Sequence, residues 1–217
     1  DLLSVVDRID ALPDIARIRI SSIEPTTVQH ALLDRMANPG HALQPYLHLP
    51  LQSGSDRVLR AMRRRYTIGQ YLAFVERAHD RVADLCLGTD IMVGHPQEDE
   101  ADFLETCRVF QENRFAYCHV FPYSERDGTA AVRYAGRVPV EERHRRGARL
   151  RRLSSERRYE FHRAHLGREM EVLFEDRKEG SWPGLTGNYI RVVCNSQQDL
   201  TNRRAMVRLE RLSADFV

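Results

Sequence analysis

Polar side chains able to do chemistry gather at the ends of four strand-like stretches. Glu24 closes RIRISSIEP; His48, Gln52 and Ser53 lie in and after PYLHLPLQSG; Asp90, Gly94 and His95 fall in CLGTDIMVGHP; Phe121 and Tyr123 fall in YCHVFPYS. Glu24 can accept hydrogen bonds from a cationic ligand group or ribose hydroxyls, or shape the turn before Pro25. Asp90 sits among Ile91, Met92 and Val93, where a carboxylate is costly unless a helix end, a cation or a ligand partners it. His48, between two leucines, fits a satisfied structural imidazole as well as a site, and Gln52 and Ser53 fit loop capping as well as ligand orientation. The histidines and nearby acids lack zinc spacing, and no glycine-rich phosphate loop or nucleophile elbow is present. Cys86, Cys107, Cys118 and Cys194 make neither CxxC nor CxxxCxxC. They read as buried thiols of a reducing compartment, which points to the cytoplasm.

The elements that must position these groups alternate. Leu2, Val5, Val6, Ile9 and Leu12 repeat at helical spacing ahead of Pro13, and Ile18 and Ile20 alternate with Arg17 and Arg19 as in a strand. A helix carrying Val28, Leu32, Leu33 and Met36 follows, stopped by Asn38-Pro39-Gly40. Strands are predicted at Tyr46 to Leu49, Leu85 to Val93 and Phe115 to Phe121, with helical faces between them. Strands alternating with helices imply a parallel sheet whose crossovers cover its faces. In such an arrangement, side chains at the C-terminal strand ends converge on the pocket.

With 217 residues, 42% hydrophobic and 29% charged, the chain has the composition of a globular protein, and no apolar run is long enough to span a bilayer. The net charge of +2 is uninformative, but twelve arginines against four acids between Arg133 and Arg168 mark a basic helix from about Val140 to His165. Such a helix is either a solvated face or a source of attraction for a polyanion. After Gly167 the pattern changes to short strands at Met170 to Phe174, Tyr189 to Val193 and around Met206 to Leu209, separated by turn-rich Lys178 to Gly187. Arg168, Lys178, Trp182, Tyr189 and Arg191 are RNA-facing candidates there, basic groups for phosphates and rings for bases. Trp182 serves equally well as the plug of a small barrel.

Three segments resemble one family. HLPLQSGSDRVLRAMRRRYT (48–67), LGTDIMVGHPQEDEADFLET (87–106) and HVFPYSERDGTAA (119–131) are similar to the methylthiotransferases among the radical S-adenosylmethionine enzymes that modify tRNA. RIRISSIEP and GLTGNYIRV point to the branch acting on N6-threonylcarbamoyladenosine. The resemblance implies an α/β fold: the C-terminal part of an incomplete six-stranded (β/α) radical SAM barrel at residues 1–138, a basic helical connector at 139–166, and a small all-β TRAM-like RNA-binding barrel at 167–217, cut close to its last strand. It also implies S-adenosylmethionine and two 4Fe–4S clusters in the parent, one generating a 5′-deoxyadenosyl radical and one associated with the sulfur inserted at adenine C2. tRNA and a cellular electron donor are the implied partners, with no membrane. Carried over by position, Ser22, Glu24, Gln52, Ser53, Asp90, Val93, Gly94, Phe121 and Tyr123 are the cofactor-pocket candidates.

The sequence departs from the family at His95, where phenylalanine is usual, at Gln97-Glu98-Asp99, and at Glu125, Asp127 and Ala130, where prolines are common. The first two barrel strands, the cluster cysteines and the N-terminal domain have no counterpart here, and the chain opens at Asp1 inside a helical pattern. The expectation is therefore a C-terminal part of a larger enzyme, inactive alone, whose missing half is joined upstream or supplied by a separately encoded partner. The alternative is a noncatalytic RNA-binding remnant.

Overall fold

The structure, a computed structural model, describes residues 1–213. Its frame is a parallel sheet of β1 (Tyr46–His48), β2 (Cys86–Val93) and β3 (Tyr117–Pro122), in that spatial order. Tyr46 pairs with Cys86, and Asp90 pairs with His119. Because side chains alternate along a strand, the sheet has two distinct faces. One carries Leu47, Leu49, Leu87, Ile91, Val93 and Cys118, all buried in the main core. The other carries Tyr46, His48, Cys86, Asp90, Tyr117, His119 and Phe121.

Helices seal the apolar face. α1 (Leu2–Asp10) starts at an Asp1 cap, and α2 is His30–Ala37. α3 (Asp56–Ala61) is capped by the Ser55 hydroxyl, and α4 (Ile68–Arg81) begins at a Thr67/Gln70 capping box. α5 (Glu100–Glu112) opens on a second box, Asp99 with Asp102. Leu32, Tyr71, Phe74, Phe103 and Phe110 are buried against the strands. Only Val6 of α1 is fully buried; Val5 stays 52% exposed, so the helical repeat is confirmed while much of its apolar face is open.

The first predicted strand, RIRISSIEP, is not continuous. It makes one parallel bridge, Ile18 with Leu43, and a further bond from Ile23 N–H to His48 O at 3.1 Å. The chain between these points carries no ladder, which makes it an irregular edge to the sheet. The opposite edge, β3, is covered by α6 (Val140–Arg163), which runs through Gly147 without a break. The Ser154 hydroxyl accepts from Cys118 N–H and donates to Cys118 O, both at 2.9 Å. Arg157 donates to Phe115 O and Asn113 O. An edge that would otherwise present open backbone groups is thereby satisfied.

Beyond α6 stands an antiparallel sheet of β4 (Glu169–Phe174), β5 (Trp182–Thr186), β6 (Arg191–Cys194) and β7 (Arg204–Arg208), ordered β6-β5-β4-β7. β5 falls where the sequence reads as turn-rich. Pro183-Gly184 suggests a turn, yet Pro183 O accepts from Glu175 N–H just past the end of β4, so the missing proline N–H costs the ladder little. Gly184 is required by packing, since a Cβ there would lie 2.7 Å from Leu173 O.

This unit packs on the first through unforeseen contacts. Arg17 donates to Leu185 O at 2.7 Å and Glu171 O at 2.8 Å, and Arg19 donates to Thr186 O. Arg168 pairs with Asp84, whose backbone oxygen accepts from Asn188 Nδ2.

Candidate ligand pocket at the C-terminal end of the sheet

The polar face of the sheet carries a hydrogen-bonded row. Tyr46 and Tyr117 hydroxyls meet at 2.7 Å, the Tyr117 hydroxyl lies 3.4 Å from His48 Nδ1, and His48 Nε2 lies 3.0 Å from Asp90 Oδ1. Gly88 leaves room for it: a Cβ there would sit 2.5 Å from the Tyr117 hydroxyl. Burial raises the pKa of both tyrosines, so they remain neutral and act as hydrogen-bonding groups. His119, paired with Asp90 across the strands, has a lowered pKa, first from burial and then from His48 beside it. The row ends at half-buried Asp90, which faces the C-terminal rim of the strands.

At that rim, Gln52 adopts a left-handed φ of 67° and continues the pairing of β1 past its end. Its N–H donates to Asp90 O at 2.7 Å, and its carbonyl accepts from Met92 N–H at 2.9 Å. The backbone is therefore committed to the sheet while the side chain stays half-buried at the rim. Glu24 accepts from Arg64 Nη1 at 2.7 Å and remains half-buried; Ser22 is exposed, and Phe121 is 52% exposed at the end of β3.

Other candidates are turned inward. Ser53 is fully buried, 3.3 Å from the Thr106 hydroxyl, and accepts from Ser55 N–H, so it fastens the loop to α5. Val93 is fully buried, and its carbonyl accepts from Tyr123 N–H at 2.8 Å. Gly94 N–H donates to Glu98 Oε1 at 2.8 Å, and its φ of 79° lets Arg143 pass where a Cβ would collide. Tyr123 is buried against His95, and its hydroxyl has no partner among the described residues.

The departures from the family pattern are built into this rim. His95 packs edge-on against Tyr123 and Tyr134, and burial lowers its pKa. Glu98, whose pKa burial raises, is held by Arg146 at 2.7 Å. Glu125 takes both terminal nitrogens of Arg143, which holds its carboxyl down at about 2, while Arg143 also donates to Tyr123 O and Val138 O. The N-terminal half of α6 thus braces the rim loops.

Of the RNA-facing candidates, Trp182 is in the core of the second sheet with its Nε1 donating to Ser196 O. Tyr189 packs against Tyr46 with ring centroids 4.6 Å apart and planes tilted by 38°, and Arg168 is engaged by Asp84. Lys178 lies in the exposed turn before β5, and Arg191 makes a 3.4 Å pair with Glu175.

The residues present do not fit an iron–sulfur cluster. Ligation needs convergent thiolates, whereas burial pushes the Cys86 and Cys118 thiols up to about 12 and Cys107 to about 11. Among the described residues no three His, Cys, Asp or Glu side chains converge to hold a metal ion. Asp90, Gln52 and Phe121 lie toward the C-terminal ends of the paired strands, with Glu24 on the irregular edge segment beside them.

A parallel sheet with helices on one face and a polar row on the other defines an α/β fold. The family model described as the Radical SAM superfamily matches residues 1–110, and the chain belongs to that superfamily. Similar curated proteins are named tRNA-2-methylthio-N(6)-dimethylallyladenosine synthase. The Neorickettsia sennetsu protein is 30% identical over 210 residues, covering 97% of this chain and 44% of its own length. The Clavibacter michiganensis protein is 41% identical over 82% of this chain and 34% of its own length. The Thermobifida fusca protein is 42% identical over 80% and 35%. The chain thus spans between about a third and under half of these relatives. In fold it is similar to the radical SAM enzyme coproporphyrinogen III oxidase from Escherichia coli, with a TM-score of 0.53 and 17% identity over 65% of this chain and 32% of the other.

What sequence reading missed is the pair Tyr46 and Tyr117 and the anchors Arg17, Arg19 and Asp84. A signal was present for the first pair: Tyr46 and His48, like Tyr117, His119 and Phe121, share one face by two-residue alternation.

Proposed function

We propose that this chain is the C-terminal part of a tRNA methylthiotransferase that adds a methylthio group at C2 of an N6-modified adenosine. The observation carrying the reading is that relatives 41% and 42% identical over four-fifths of the chain bear that activity in their names. When bound, S-adenosylmethionine with its cluster supplies the radical and the methyl group. This chain's own part is positioning. Asp90, Glu24, Gln52, Ser22 and Phe121 are the groups open to the cofactor, while Ser53, Val93, Gly94 and Tyr123 hold the rim that presents them. The cluster ligands come from outside this chain, either upstream in the same polypeptide or from a separately encoded N-terminal half, with a cellular electron donor serving the whole in the cytoplasm. Lys178 and Arg191 are the groups of the second sheet most open to tRNA phosphates.

For the N6 substituent, the relatives' names favour dimethylallyl. The segments RIRISSIEP and GLTGNYIRV support threonylcarbamoyl as the second reading. The test joins this chain to the N-terminal half of a relative, expresses the hybrid in cells lacking methylthiolated tRNA, and identifies nucleosides by mass spectrometry. A new 2-methylthio nucleoside supports the reading, and its N6 group names the branch. A folded, cluster-loaded hybrid that binds tRNA and makes no such nucleoside supports the noncatalytic remnant instead.

A further inference from the structure

A cavity of about 570 Å³ lies at the opposite, N-terminal end of the parallel strands, between that sheet, the C-terminal half of α6 and the second sheet. Its size is that of a small-molecule site. Its lining is chemically one-sided: Tyr46, Tyr117, Phe161 and Tyr189 supply rings, Arg158 and Arg191 supply guanidinium groups, and no Asp or Glu lines it among the described residues. Two neighbouring arginines of α6 are engaged by carboxylates, Arg157 by Glu160 and Arg152 by Glu156. Arg158 instead lies over the Tyr117 ring, 5.0 Å from its centroid, with no carboxylate in ion-pairing reach among the described residues. A half-buried guanidinium left without a carboxylate, in a wall of aromatic rings, is matched to a ligand that brings its own anion. Guanidinium groups take phosphate through a planar fork, and aromatic faces take bases by stacking.

We infer that this cavity binds a nucleotide, its phosphate on Arg158 and its base against the aromatic wall, while Arg191 keeps its 3.4 Å pair with Glu175. The chemistry is the same for a free nucleoside monophosphate and for one nucleotide of an RNA strand. The cavity shares the polar face of the sheet with the rim proposed for S-adenosylmethionine: His119 lines it, and the cross-strand partner of His119 is Asp90. The inference stands whether or not the parent methylthiolates tRNA.

The test is calorimetric titration of the full chain with adenosine 5′-monophosphate, adenosine and a short single-stranded oligoadenylate. Three variants accompany it: Arg158→Gln, Arg158→Lys, and Arg152→Gln as a charge-matched change on the same helix. Melting curves establish that each is folded. Losing a charged hydrogen-bond partner predicts a weakening of about tenfold or more for the monophosphate with Arg158→Gln. Arg158→Lys should recover part of it, and Arg152→Gln should bind as the parent chain does. Tighter binding of the oligonucleotide, with the same dependence on Arg158, assigns the site to RNA; tighter binding of the monophosphate assigns it to a free nucleotide. Equal losses in Arg158→Gln and Arg152→Gln, or no saturable binding of any probe, overturns the inference. Since no activity is read, failure here leaves the methylthiotransferase reading untouched.

Discussion

At the residue scale, the polar row on the sheet ends in Asp90 holding His48. Replacing Asp90 by alanine strips the 3.0 Å partner from a buried imidazole. It should cost about 1–3 kcal/mol, the usual penalty for a buried polar group left unpaired. Urea denaturation of Asp90→Ala checks this; an unchanged midpoint would mean that the pair contributes nothing to stability. That Asp90 needed a partner was legible from its apolar neighbours. The identity of the partner was not, because His48 sits on another strand and meets Asp90 only through the parallel register. Ser53 shows the converse: its position after a strand suggested a ligand contact, and burial against Thr106 made it a fastener.

At the element scale, two close fits set the geometry. Gly88→Ala would drive a Cβ into the Tyr117 ring. Overpacking of this kind costs about 1–3 kcal/mol, and a thermal melt no lower than that of the parent chain would contradict it. Ser154→Ala should cost about 1–3 kcal/mol as well, because Cys118 N–H and C=O lose their common partner at a covered sheet edge. Hydrogen exchange should then speed up at Cys118 ahead of β2, and uniform exchange across both strands would count against the helix as an edge cover. The elements were largely legible: β2, β3 and α6 lie within two residues of where the sequence puts them, and α4 and α5 fall in the helical stretches between strands. The misses have physical causes. RIRISSIEP has a strand's alternation but pairs at only one bridge, and β5 carries a proline and a glycine that locally read as a turn.

At the scale of the whole molecule, the two sheets are held together by groups that composition could not reveal, Arg17, Arg19 and the Asp84–Arg168 pair. Nearby, burial draws His162 down to about 4 from 6.5, and half-buried His79 down to about the same value. The unfolded chain takes up these protons below about pH 6.5 while the folded chain resists until about pH 4. Their contribution to stability is therefore complete above pH 6.5 and is lost as the pH falls toward 4. The urea midpoint should drop across that window, and His162→Phe should flatten the drop; an unaltered slope would show that His162 is already accessible to protons when folded. Asp84 acts lower, since Arg168 holds its carboxyl below 3.8, and that support is present above this value and lost as the pH falls further.

The central proposal is that this chain carries the ligand-positioning part of a radical SAM enzyme, with no cluster ligation among the described residues. Anaerobic reconstitution of the isolated, demonstrably folded chain with iron and sulfide tests it most directly, with metal and sulfide assayed and electron paramagnetic resonance recorded with and without S-adenosylmethionine. The buried, high-pKa thiols predict sub-stoichiometric iron and no cluster signal. A near-stoichiometric 4Fe–4S cluster whose signal changes on adding S-adenosylmethionine would contradict the account.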